Sequence, residues 1–140
     1  MEAFTAEEIA YLKGQPVGRL ATASQAGRPH VIPTTFHLND GEGVLELGAL
    51  ALEEHGQKRL YVRDIEANER VAFAVDDMVS VDPWIPRGIT IRGRAEIHHE
   101  GGERLGPQFG PRWIKIIPAF VASWGIETSP YDVRTRRLSA

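Results

Sequence analysis

Between residues 89 and 98 the chain alternates with a period of two, and only a β-strand presents side chains at that period. Ile89, Ile91, Ala95 and Ile97 fall on one face, and Thr90, Arg92, Arg94, Glu96 and His98 on the other. Upstream, Val71, Phe73 and Val75 alternate with Ala72 and Ala74, which predicts a buried strand ended by Asp76 and Asp77. The proline-rich stretch 83–88 then reads as a rigid loop between the two strands. Downstream, 113–117 and 120–124 read as a last strand, bent or interrupted at Pro118.

The first half continues the pattern. Residues 19–23 form a short strand closed by a turn at 25–27. Residues 30–38 form the next, with Ile32, Phe36 and Leu38 on one face. Pro33 inside it argues for an edge, a bulge or a kink, because proline cannot donate to the ladder. Asn39-Asp40-Gly41-Glu42-Gly43 is a hairpin turn, and 44–50 is its partner strand.

Two helices interrupt the strands. Thr5 and Glu8 make a capping box, and Phe4 and Ile9 stand at staple spacing. Ile9 and Leu12 then face the core, and Gly14 and Pro16 stop the helix. A second helix is expected over 58–67, where Tyr61 and Ile65 are four apart. After Gly125 the chain reads as polar and loosely held. About six short strands and two helices within one domain, residues 1–140, predict a mainly β, antiparallel barrel-like sheet.

Composition excludes whole classes of chemistry. None of the 140 residues is cysteine, so disulfides, thiolate nucleophiles and cysteine-ligated metals are absent. A net charge of -3 gives no global attraction to nucleic acid or an acidic membrane surface. The acidic start lacks an apolar signal region, and no apolar run approaches the roughly 20 residues of a membrane span. A cytoplasmic, soluble protein is expected.

The five histidines, His30, His37, His55, His98 and His99, show no metal-ligand spacing. His30 and His37, seven apart on one expected strand, would point to opposite faces. There is no Gly-x-Ser-x-Gly elbow, no phosphate-binding loop of the Gly-Lys-Ser/Thr kind and no Gly-x-Gly-x-x-Gly after a strand. One basic cluster remains. Lys58, Arg59 and Arg63 stand at the start of the second helix, where free N–H groups and the helix dipole favour an anion. On spacing alone, a solvated face pairing with Asp64 and Glu66 explains the cluster as simply. Arg92 and Arg94 likewise read as surface partners for residues such as Glu96, and Trp84, Phe109 and Trp113 as pocket or core.

Several segments together resemble the pyridoxamine 5′-phosphate oxidase-like split β-barrel proteins. They are Gly18-Arg19-Leu20-Ala21-Thr22, Gly27-Arg28-Pro29-His30-Val31-Ile32-Pro33, Arg63-Asp64-Ile65, Asn68-Glu69-Arg70-Val71-Ala72 and Ser123-Trp124-Gly125. Pro83-Trp84-Ile85-Pro86-Arg87-Gly88-Ile89 and Ile91-Arg92-Gly93-Arg94-Ala95-Glu96 resemble a signature of the deazaflavin-dependent branch, which includes reductases that finish tetracycline antibiotics.

The resemblance implies an antiparallel split β-barrel with short helices in its connections. It implies a homodimer with cofactor sites at the interface, a small-molecule substrate, and no nucleic-acid or membrane partner. Coenzyme F420 is the implied cofactor, with FMN as the alternative. The implied activity is transfer of a hydride from reduced F420 to an activated C=C bond. An FMN-dependent oxidase or flavin reductase, or a non-catalytic carrier, are the alternatives. By position, Lys58 and Arg59 would hold the cofactor phosphate, with Arg63 beside them. His30, Pro33, Thr34 and Gly48 would line the ring, and Trp84 and Arg87 would close the site from a loop, with His30 or water as proton source. The chain departs from the family pattern at Thr34-Thr35, at 49–54 and at Ala119-Phe120 after Pro118, near the expected cofactor surfaces.

Overall fold

The computed structural model describes residues 2–50 and 59–138. Helix α1 (Ala6–Lys13) starts on the expected capping box. The Thr5 hydroxyl accepts from the Glu8 N–H, and the Glu8 carboxylate accepts from the Thr5 N–H. Strands β1 (Gly18–Ala23), β2 (Pro29–Thr34), β3 (His37–Asn39) and β4 (Val44–Leu50) follow. Then come α2 (Leu60–Ala67), β5 (Arg70–Ser80), β6 (Ile85–His98), a 3-10 turn (Gly102–Leu105), β7 (Phe109–Trp124) and β8 (Arg134–Arg137).

All the strand pairs are antiparallel, in the order β2-β1-β5-β6-β7-β4-β3, with β8 added to β7. The outermost strands of that order, β2 and β3, are consecutive in the chain and separated only by Thr35 and Phe36. Three Cα steps span at most roughly 11 Å, so the sheet must curl until its ends meet at that corner. The result is an antiparallel split β-barrel. Leu20, Leu45, Phe73, Ile89, Ile91, Ile116 and Val121 fill it and are almost fully buried. The Phe36 ring packs edge-on against Phe73 at 5.3 Å, which plugs the corner between β2 and β3.

Several expectations need correcting. The single strand over 30–38 is two strands, because its halves belong to opposite ends of the sheet. His30 and His37 therefore never share a strand. Asp76 and Asp77 do not end β5, which runs to Ser80, since Arg87 reaches across the hairpin to hold Asp77. The loop expected over 83–88 is shorter, and β6 begins at Ile85.

The tail is not loose. Strand β8 pairs with β7, and its Arg136 forms an ion pair with Glu8 and donates to the Ala3 carbonyl. Pro118 does not interrupt β7. The irregularity is one extra residue, Ala119, between the pairs Gly93↔Pro118 and Arg92↔Phe120. Gly93 permits the bulge, since a Cβ there would lie 2.0 Å from the Ile117 carbonyl oxygen.

Candidate functional site

The second helix begins at an arginine. Arg59 is the N-cap of α2, and its carbonyl accepts from the Val62 and Arg63 N–H groups. Its side chain makes no capping bond, and the first turn carries no acidic residue to neutralise the helix terminus. Arg59 and Arg63 are both exposed, and the Arg59 guanidinium lies 6.0 Å from the Tyr61 ring centre. The pairing proposed for this face does not form at Asp64. That carboxylate is buried and accepts a 2.7 Å hydrogen bond from the Thr22 hydroxyl on β1. Lys58 lies outside the described residues.

The Thr22–Asp64 bond fixes α2 against β1, the strand beside the one that carries the next group. His30 is the register partner of Thr22, so it stands one strand away from the helix. Thr34 lies four residues further along β2 and on the same face as His30, both half-buried. Pro33 falls on the opposite face, exposed, beside Arg19. Strand β2 pairs only with β1 among the described residues. Pro29 and Pro33 remove donors from this outermost strand, which agrees with the edge position read from Pro33.

Gly48 stands elsewhere. It pairs with Trp113 on β7, and the Phe109 ring covers it so closely that a Cβ would lie 2.5 Å from the ring. Trp113 is buried, stacked on His98 at 4.4 Å and capped by the Arg104 guanidinium at 4.5 Å. Glu46, two residues before Gly48, is nearly inaccessible and takes both Arg104 nitrogens. Burial pushes its carboxyl up, but Arg104 and Asn39 outweigh this and hold it below the usual range.

Trp84 and Arg87 occupy the far end of the long strands. Trp113 and Trp124 are eleven residues apart on β7, or roughly 36 Å of strand, and Trp124 is the partner of Gly88. Trp84 is more than half exposed. Arg87 makes a bidentate pair with Asp77 at 2.8 and 3.1 Å and lies 4.9 Å over the Tyr11 ring. The Tyr11 hydroxyl donates to the same Asp77 at 2.9 Å. Arg87 is the main reason the Asp77 carboxyl is held low, and burial followed by Asp77 pushes the Tyr11 phenol well up.

Within one chain, then, His30 and Thr34 lie beside the strand that α2 packs on. Gly48 is covered by Phe109, and Trp84 with Arg87 sits at the opposite end of β6 and β7. Sequence reasoning missed Tyr11 and Asp77. Tyr11 was legible only as a helix residue, and Asp77 as a strand end. Thr22 lay inside a quoted motif, but nothing in the motif signals a buried carboxylate partner.

The sequence signature described as pyridoxamine 5′-phosphate oxidase matches residues 4–132. The chain belongs to that family. A reductase of Streptomyces rimosus subsp. rimosus, named for 5a,11a-dehydrotetracycline and 5a,11a-dehydrooxytetracycline, is 37% identical over 124 residues. The match spans 89% of this chain and 84% of that protein. Among solved structures, HupZ of Group A Streptococcus superposes with a TM-score of 0.69 at 18% identity, over 90% of this chain and 98% of that one. The conserved hypothetical protein Rv2991 of Mycobacterium tuberculosis gives 0.66 at 21%, over 90% and 88%. At such identities these two show a shared fold alone. Among the described residues, no helix is long and apolar enough to cross a membrane.

Proposed function

We propose that this protein is a cytoplasmic reductase of the family that uses reduced coenzyme F420 to saturate an activated C=C bond of an organic substrate. The carrying observation is the 37% identity to a dehydrotetracycline reductase over nearly the whole chain. The start of α2 fits the cofactor phosphate, because an exposed arginine caps a helix terminus whose first turn holds no acid. When bound, the deazaflavin supplies the hydride, as the hard redox chemistry in such enzymes belongs to the cofactor.

The chain's own part is binding and orientation. Arg59, with Lys58 before it and Arg63 one turn on, holds the phosphate. The buried Thr22–Asp64 bond ties α2 to β1, the strand paired with β2. His30 and Thr34 on the inner face of β2 face the ring, and His30 or water returns a proton to the substrate carbon. Trp84 and Arg87 reach the site in this reading only from a second copy, in a homodimer with its cofactors at the interface. The exposed Val79, Val81 and Trp84 at the β5–β6 tip support that arrangement, being apolar surface left in water by one chain.

Titrating the purified protein separately with coenzyme F420 and FMN, followed by fluorescence, tests the reading. Tight binding of F420 with weak binding of FMN is expected. The Arg59→Ala variant should lose about 1–3 kcal/mol of cofactor affinity, the worth of a charge-assisted hydrogen bond. The reverse preference would assign the protein to FMN chemistry. Tight binding with no turnover on quinones or polyketides would make it a carrier.

A further inference from the structure

Thr22 spends its one proton on Asp64, and that decides what it can offer to the residue opposite. A hydroxyl carries a single O–H donor and two lone pairs. The Thr22 O–H donates to the Asp64 carboxylate at 2.7 Å, and both residues are buried, at 4% exposure each. Toward any other neighbour the Thr22 oxygen can only accept.

His30 stands directly opposite Thr22 in the β1–β2 register, so the two share one face of the sheet. It is the face that carries Leu20 and Ile32 toward the core. The Cβ atoms of an opposed pair stand roughly 5 Å apart, a span that an imidazole and a hydroxyl can close. His30 is half-buried and has no hydrogen-bond partner among the described residues. The other residues these two strands turn to that face are Gly18, Leu20, Ile32 and Thr34. Of these only Thr34 has a polar side chain, and its hydroxyl is turned to the Thr35 carbonyl at 3.0 Å. A donor without an acceptor therefore faces an acceptor with unused lone pairs.

We propose that Thr22 and Asp64 are positioning residues for His30: the Thr22 oxygen accepts from one imidazole nitrogen, and Asp64 holds the hydroxyl in the orientation that lets it do so. The inference rests on the reading of His30 as the proton source. The nitrogen turned to Thr22 keeps its proton whether the ring is neutral or charged, so the other nitrogen is the one that gains and gives a proton. In the reaction the substrate takes a hydride at one carbon of the C=C bond, and the π pair moves onto the activating oxygen. The neighbouring carbon then takes the proton from the outer nitrogen of the imidazolium as the carbonyl re-forms. His30 is left neutral, with its remaining proton on Thr22. Because Asp64 belongs to α2, whose N-cap is Arg59, one helix bears on both the cofactor phosphate and the proton source.

Long-range proton–nitrogen NMR of the cofactor-free full chain reads which ring nitrogen carries the proton, at about pH 8.5, where an ordinary histidine is neutral. His30→Gln identifies the signals. A single tautomer of His30 is expected in the unaltered protein and in Thr22→Ser, which keeps the hydroxyl. A mixture is expected in Thr22→Val, which has none, and in Asp64→Asn, which frees the hydroxyl to turn round. A mixture in the unaltered protein, or a single tautomer that survives Thr22→Val, overturns the positioning role and leaves the cofactor reading intact. If Thr22→Val does not fold, the unaltered protein and Thr22→Ser carry the test, and a mixture in either overturns the proposal. Failure of the unaltered protein to bind either F420 or FMN overturns the functional reading instead, and the catalytic part of this proposal with it, whatever the tautomer.

Discussion

Glu8 shows how a single side chain serves two parts of this molecule. It closes the capping box of α1 and is completely buried, with the Arg136 guanidinium as its counter-ion and a 3.1 Å bond to Nη1. Burial raises its pKa, yet Arg136, the Thr5 N–H and Ser123 together bring it below the ordinary value. Removing one partner of a buried pair strands the other, so Glu8→Gln should cost about 3 kcal/mol at pH 7 in urea denaturation. Thr22 makes the same kind of point without a second charge. Thr22→Val keeps the shape but leaves the Asp64 carboxylate short of its 2.7 Å donor. A loss of about 2 kcal/mol is expected, read from the shift in urea midpoint at unchanged slope.

Among the elements, those governed by local chemistry were legible in the sequence. The capping box set α1, the Asn39-to-Gly43 turn set the β3–β4 hairpin, and the alternation at Ile89, Ile91, Ala95 and Ile97 set β6. What could not be read depends on partners distant in the chain. Strand β8 is a polar tetrapeptide with no apolar face, and it forms because β7 and Glu8 receive it. The break at Thr35-Phe36 is invisible in a run that alternates through it, since only closure of the barrel demands a corner there. Of the candidate site, the cationic start of α2 was visible as a cluster. The cover of Phe109 over Gly48 and the Tyr11–Asp77–Arg87 contacts were not, because each depends on a residue distant in the chain, Phe109 for Gly48 and Tyr11 for Asp77. The β6–β7 bulge likewise rests on one residue. Gly93→Ala would force a methyl onto the Ile117 carbonyl, and it should lower stability by about 2 kcal/mol in a chemical melt.

At the scale of the whole molecule, three carboxylates among the described residues are held below their ordinary values by arginines that reach them from other elements: Glu8 by Arg136, Glu46 by Arg104 and Asp77 by Arg87. A depressed carboxylate contributes stability that is fully present above its unfolded value, about 3.9 for Asp and 4.3 for Glu. That contribution is lost as pH falls through the lower folded value. The urea midpoint should therefore hold steady from pH 7 to about pH 5 and fall steeply toward pH 3, and a flat profile through pH 3 would contradict the assignment of these pairs.

The fastening of α1 by β8 also has a consequence in time. A ribosome delivers Glu8 long before Arg136, which lies 128 residues further along the chain, so the Glu8 carboxylate waits through that stretch of synthesis without its counter-ion. Until Arg136 emerges, that charge is better kept in water than buried, and α1 remains undocked while the strands behind it pair. Helix α1, made before every strand of the barrel, is thus locked only after β8 has emerged.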